Sequence, residues 1–184
     1  MKSSAGHIQL ANDIAPQVLA RLSVESYIAA GVTLEPPPAP VGDLGDRRGA
    51  FVTIRTSTGE LRGCMGTVAP TCPNAAGEII RNAISAATSD PRFPEVRTPE
   101  LPGLSYGVDI LSEPEPVTGV NDLDPSRYGV IIEGQDGRRA LLLPRIRGID
   151  TVDDQWRAVH KKAGLKPGSF VRVERFTVRR FGKD

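Results

Sequence analysis

Cys64 sits in the run Glu60-Leu61-Arg62-Gly63-Cys64-Met65-Gly66-Thr67. A cysteine does nucleophilic or redox chemistry as its thiolate, and a nearby cation raises the thiolate fraction at neutral pH. Arg62 is the cation closest in sequence. Gly63 and Gly66 lack side chains, so a ligand, a loop or another backbone can approach the strand there. A second block, Ser89-Asp90-Pro91-Arg92-Phe93-Pro94, sets a carboxylate and a guanidinium around a proline. Arg92 offers a planar fork suited to a carboxylate or a phosphate. Plainer readings stand beside these. Free cysteine is among the most buried residue types, so Cys64 also reads as a small thiol packed beneath a helix. Asp-Pro starts turns, so Asp90 also reads as a turn closed by its own hydrogen bond.

Other groups carry less. Cys64, Cys72, His7 and His160 are metal ligands by type, but none is paired at the close spacing of structural zinc sites, and no metal is expected. His160 reads either as a base for Cys64 or as a surface imidazole near a helix C-terminus. Arg172, Arg175, Arg179, Arg180 and Lys183, preceded by Lys161, Lys162 and Lys166, form a basic stripe. Such a stripe contacts RNA phosphates or is a solvated strand face. Phe170, Phe176 and Phe181 read as core anchors rather than stacking platforms. Neither a phosphate-cradling GxxxxGK[ST] loop nor a dinucleotide GxGxxG is present. The sequence names no cofactor.

These groups need a scaffold. The chain has 184 residues, 39% hydrophobic and 24% charged, with formal net charge +1, which suits one compact globular domain or two small subdomains. That charge gives no global field toward nucleic acid or membrane. The first seven residues read as a loosely ordered start, the opening segment is no secretory signal, and no apolar run reaches membrane-span length. A cytoplasmic protein with reduced thiols is expected.

Apolar spacing predicts a helix over 13–30, with Asp13 as N-cap and Gly31 as stop. The proline-rich 35–41 is an extended connector. Residues 49–56 and 60–68 form a hairpin turning at Gly59, which puts Cys64 on its second arm. A second helix fits 73–88, its face made by Ala76, Ile79, Ile80, Ala83, Ile84 and Ala87, with Glu78, Arg81 and Asn82 opposite. The prolines of 89–103 argue against regular structure there. Strands follow at 105–112, 127–134 and 138–144, and Leu141-Leu142-Leu143 suggests burial on both faces. A third helix fits 152–163, capped by Thr151 and Asp154 and stopped at Gly164. In the last strand the apolar parity switches between Val173 and Phe176, which predicts a bulge or a change of packing surface near Glu174 or Arg175. The fold class is α+β, with a largely antiparallel or mixed sheet and about three main helices.

The strings "GAFVTIRTSTGELRGCMGT", "AISAATSDPRFPEV", "ALLLP" and "KKAGL", in this order, resemble the AMMECR domain family. Its prokaryotic members are called AmmeMemoRadiSam system protein A. The resemblance spans nearly the whole chain and implies two unequal subdomains woven from one chain, with the motif near the cleft between them. It brings no established activity. It implies Memo-type or radical-SAM protein partners. The family motif falls on Leu61, Arg62, Gly63, Cys64 and Gly66, and its second block on Asp90, Pro91, Arg92 and Phe93. Met65, Gly107 and His160 depart from the pattern, which more often has a branched aliphatic, a glutamate and a cysteine there. Taken together, the expected site has Cys64 as catalytic candidate and Arg62, Gly63, Gly66, Thr67, Asp90 and Arg92 around a small anionic ligand. The alternative is a non-catalytic protein- or RNA-interaction module using the basic C-terminal strand.

Overall fold

The structure, a computed structural model, describes residues 9–166 and 168–182. The first seven residues, His7 among them, and Lys183 lie outside the described residues. In chain order the elements are α1 (Pro16–Ala30), β1 (Ala50–Arg55), β2 (Leu61–Thr67), α2 (Ala75–Thr88), β3 (Ser105–Leu111), β4 (Glu115–Pro116), β5 (Gly129–Gly134), β6 (Arg139–Leu142), α3 (Val152–Ala163), β7 (Val171–Phe176) and β8 (Val178–Phe181). The α+β class follows, with two four-stranded sheets ordered β2-β1-β3-β8 and β4-β7-β5-β6. Two compact units result: residues up to Ile110 with those from Arg180 onward, and Leu111–Arg179.

In the first unit α1 begins later than Asp13. Ala15 is its N-cap, without a side-chain cap bond, and Pro16 takes the first position, where a missing N–H costs nothing. Gly31 ends it in the left-handed region, φ 67°. β1 pairs antiparallel with β2 on one side and β3 on the other. Along β1 burial alternates: Ala50, Val52 and Ile54 face a core completed by Leu19, Val24, Ile79, Ala83 and Val108. The proline-rich stretch is not wholly irregular. Thr98–Gly103 winds into a short 3-10 helix, whose φ range suits proline.

Helix α2 corrects one expectation. Its alanine and isoleucine face is buried as predicted, with Ile84 only partly covered, but Glu78 (0% exposed) and Asn82 (3%) are buried as well. Only Arg81 of the three polar residues is exposed.

In the second unit α3 packs on β5 and β6 over Leu123, Val130, Ile132, Leu142 and Val159. Its Thr151–Asp154 capping box and its stop at Gly164 form as predicted. β6 is not buried on both faces: Leu142 faces the core under α3 and is buried, while Leu141, on the opposite face, is only partly covered. The Lys162 ammonium donates to the Leu141 carbonyl at 3.0 Å. The parity switch of the last strand is a change of sheet. The chain leaves the second sheet after Phe176 and joins the first at Val178. Phe176 is buried and Phe181 packs against the first core, but Phe170 is 78% exposed and anchors nothing. His160 is no surface imidazole. It is buried, with Nδ1 2.9 Å from the Trp156 carbonyl and its ring 4.4 Å from the Trp156 ring. Among the described residues no helix is long and apolar enough to cross a membrane.

Gly63 is the contact that lets α2 lie on β2. A Cβ built there would stand 2.1 Å from the Ala86 carbonyl oxygen of α2. Both partners are backbone, so neither gives way cheaply. Gly63→Ala should therefore cost about 2–3 kcal/mol, the upper range of overpacking, read as a lowered urea midpoint with an unchanged slope.

Candidate functional site

The orientation of Cys64 follows from one irregularity. Arg55 pairs with Leu61, but the next residue of β1, Ile54, pairs with Gly63. Arg62 is the extra residue of a β-bulge. An unbroken register from Arg55–Leu61 would set Cys64 opposite Val52, on the core face. A one-residue slip turns every later side chain over. With the bulge, Gly63 and Met65 share the core face with Ile54 and Val52, and Cys64 and Gly66 share the outward face with Thr53 and Phe51. The residue beneath the helix is thus Gly63 rather than the thiol.

On that face Cys64, Thr53 and Gly107 stand in register across β2, β1 and β3, with Gly66, Phe51 and Asp109 as the next row. The Thr53 hydroxyl donates to Cys64 Sγ at 3.4 Å. The Phe51 ring occupies the space a Cβ at Gly66 would need. Asp109 is buried and paired with Arg180 at 2.8 Å. Cys64 itself is half-buried.

β2 is an edge strand, and residues 89–100 manage its free edge. The Asp90 carboxylate, 2% exposed, accepts the Cys64 N–H at 2.8 Å and is gripped by the Arg92 fork at 2.9 and 2.7 Å. Arg92 also reaches the Cys64 carbonyl at 3.5 Å. The Arg92 hydrogen bonds, with the Cys64 and Arg92 N–H groups, outweigh burial and hold the Asp90 carboxyl well below the usual carboxylate range. Asp90 in turn raises the Arg92 guanidinium above its ordinary value. Arg92 remains 55% exposed and lies over the Phe93 ring.

Arg62 has a different setting. Its guanidinium holds Glu100 at 2.7 and 3.0 Å, the Pro94 carbonyl at 2.9 Å and the Glu95 carbonyl at 3.3 Å, and its side chain is 11% exposed. That hydrogen bonding holds the Glu100 carboxyl below its ordinary value. Thr67, at the other end of β2, donates to Glu78 at 2.5 Å and accepts from Asn82 at 3.1 Å. Glu78 also accepts the Thr71 and Cys72 N–H groups and the Thr71 hydroxyl. Burial pushes its carboxyl up, but the bonds from Thr67, Cys72 and Thr71 prevail and hold it down.

The structure therefore gathers Cys64, Asp90 and Arg92 at one place, and sets Gly66 on the same face as Cys64. It turns Gly63 and Thr67 toward α2 and fills Arg62 with internal acceptors. Thr53, Glu78 and Glu100 belong to the arrangement but carry no motif. Thr53 is legible only once the bulge is known. Elsewhere, Arg172, Arg175 and Arg180 are ion-paired with Glu174, Glu115 and Asp109. Among the described residues no three His, Cys, Asp or Glu side chains cluster as metal ligands.

Asp90 makes the acid response predictable. Its folded carboxyl binds protons less readily than the unfolded one, so its contribution is complete above the unfolded value of about 4 and fades as pH falls below it. Asp90→Asn should cost about 1.5–3 kcal/mol at pH 7, the worth of hydrogen bonds to a charged group. The deficit should shrink toward pH 3, as measured by urea unfolding across that range.

Residues 17–183 match the AMMECR1 family. A Thermotoga maritima protein is 49% identical over 160 residues, covering 86% of this chain and 91% of its own length. A Clostridium acetobutylicum protein is 42% identical over 164 residues, and there the chain spans only 34% of the relative. The crystal structure of an uncharacterized protein from Pyrococcus horikoshii superposes with TM-score 0.82 at 28% identity, over 95% of each chain. With that match over almost its entire length, the chain belongs to the AMMECR1 family.

Proposed function

We propose that the first unit binds a small anionic molecule on the outward face of β2 and β1, with its charge at Arg92 and its body against Cys64. The observation that carries this is the Arg92 guanidinium, 55% exposed yet fixed by a carboxylate that is 2% exposed, beside the Cys64 main chain. A cation already held in place loses little freedom on meeting an anion. Cys64 supplies the thiol, as nucleophile or redox-sensitive group, and Thr53 donates to its sulfur. Asp90, Arg62, Gly63, Gly66 and Thr67 hold and shape the strand that presents it. The protein then acts in the cytoplasm as an enzyme or as the accessory subunit of a Memo-type or radical-SAM partner. The alternative, an RNA- or protein-binding stripe on the C-terminal strand, has less behind it, because three of its arginines are ion-paired within the chain.

Iodoacetate and iodoacetamide test the site directly, since they differ in charge but alkylate thiols alike. Modification of Cys64 is read by mass spectrometry, with Cys72 as internal reference. The anionic reagent should be favoured at Cys64 over Cys72, and Arg92→Gln should remove that preference. A gain of roughly fivefold is expected, from about 1 kcal/mol for one charge pair in a water-like medium. Equal preference at both thiols, or a preference that survives Arg92→Gln, overturns the reading.

A further inference from the structure

A groove of about 470 Å³ lies between α1, the extended segment 33–36 and α2, and shares no lining residue with the Cys64 face. Its volume falls in the range of small-molecule sites. Tyr27, Leu34, Pro36, Ile80 and Ile84 give it an apolar lining. Its lining on α2 runs from Gly77 to Ser85, about 12 Å along the helix axis.

Arg81 lines the same groove and is exposed. Its direction is set from the core. Arg81 Nη1 donates to the Thr71 hydroxyl oxygen, and that hydroxyl donates in turn to the buried Glu78 carboxylate at 2.8 Å. The Nε–H and Nη2–H donors of Arg81 meet no acceptor among the described residues. An oriented guanidinium with open donors beside an apolar trough is complementary to a carboxylate on an apolar body. Glu35 lines the groove too and opposes negative charge there. A ligand with a single negative charge meets less of that opposition than a phosphate dianion does.

From this geometry we propose that the groove binds a small monocarboxylate, its carboxylate on the open donors of Arg81 and its aliphatic or aryl body along Ile80 and Ile84. The proposal does not depend on the Cys64 site. The probe is 4-phenylbutanoate, titrated into the ¹⁵N-labelled full chain and followed by amide shifts. The control is 4-phenylbutan-1-ol, which has the same body without charge. Saturable shifts at Leu34, Ile84 and Ser85 are expected. Arg81→Gln should weaken binding about tenfold or more, and Arg81→Lys less, because lysine keeps the charge but loses the fork. The midpoint of the Leu34, Ile84 and Ser85 shifts should not move in Arg92→Gln, whatever the probe does at the Cys64 face. The proposal is overturned by any of three results: no saturation below about 10 mM, equal affinity for the alcohol, or unchanged affinity in Arg81→Gln. Shifts confined to Thr53 and Cys64 would move the carboxylate to the other face and overturn it as well.

Discussion

The bulge at Arg62 determines which way the sulfur of Cys64 points. β-Strand side chains alternate, so one inserted residue exchanges the faces of everything beyond it. The exchange has to be stabilised, because a bulge leaves one residue out of the ladder. Arg62 supplies the compensation itself. Glu100 and two carbonyls take up its guanidinium, and burying it there ties β2 to residues 94–100. Gly63, brought to the core face by the same insertion, gives α2 room to settle on the strand. Orientation of the thiol, closure of the edge loop and helix packing are thus three consequences of one local event.

Around that event, Asp90 takes over at one N–H what a neighbouring strand would do, and two more carboxylates hold side chains of β2. β2 has no strand on its outer side, and three acidic groups are spread along it: Glu100 at Arg62, Asp90 at the Cys64 N–H, and Glu78 at Thr67. Each is held below its ordinary acidity range by the donors it collects. Glu78 is the extreme case. It is fully buried, and its charge is stabilised by amides and hydroxyls converging on two oxygens rather than by a directly bonded cation. Donor count decides this balance: several hydrogen bonds to a carboxylate offset the desolvation that would otherwise keep it protonated.

Local pattern carried much of the fold. Apolar spacing located all three main helices, turn glycines located the hairpins, and the parity switch between Val173 and Phe176 marked the passage of the chain from one sheet to the other. What stayed hidden depended on distant partners. Glu78 and Asn82 look like the wet side of α2 by composition. They are buried because Thr67, the Thr71–Cys72 backbone and the Ala50 carbonyl need partners there. The bulge leaves no periodic trace because its support comes from Glu100, 38 residues away. Phe170 looked like an anchor because it is aromatic, yet it falls just before β7 begins, outside the pairing that would have buried it.

Two arginines flank Cys64 in the motifs, and the number of acceptors each one finds separates their roles. Arg62 meets two carboxylate oxygens and two carbonyls, so its charge is spent inside the protein. Arg92 has one buried carboxylate and a long contact to the Cys64 carbonyl, and keeps more than half of its side chain in the open. Asp90 and Arg92 together are neutral, but the carboxylate is buried against the Cys64 N–H while the guanidinium faces out, so the pair turns its positive end to whatever approaches the strand. At physiological ionic strength salt screens the field of that end over roughly 8 Å, so it acts on an anion only close to the thiol face. Asp90 therefore does two things with one carboxylate: it completes the edge of β2, and it aims the cation that stands over that edge.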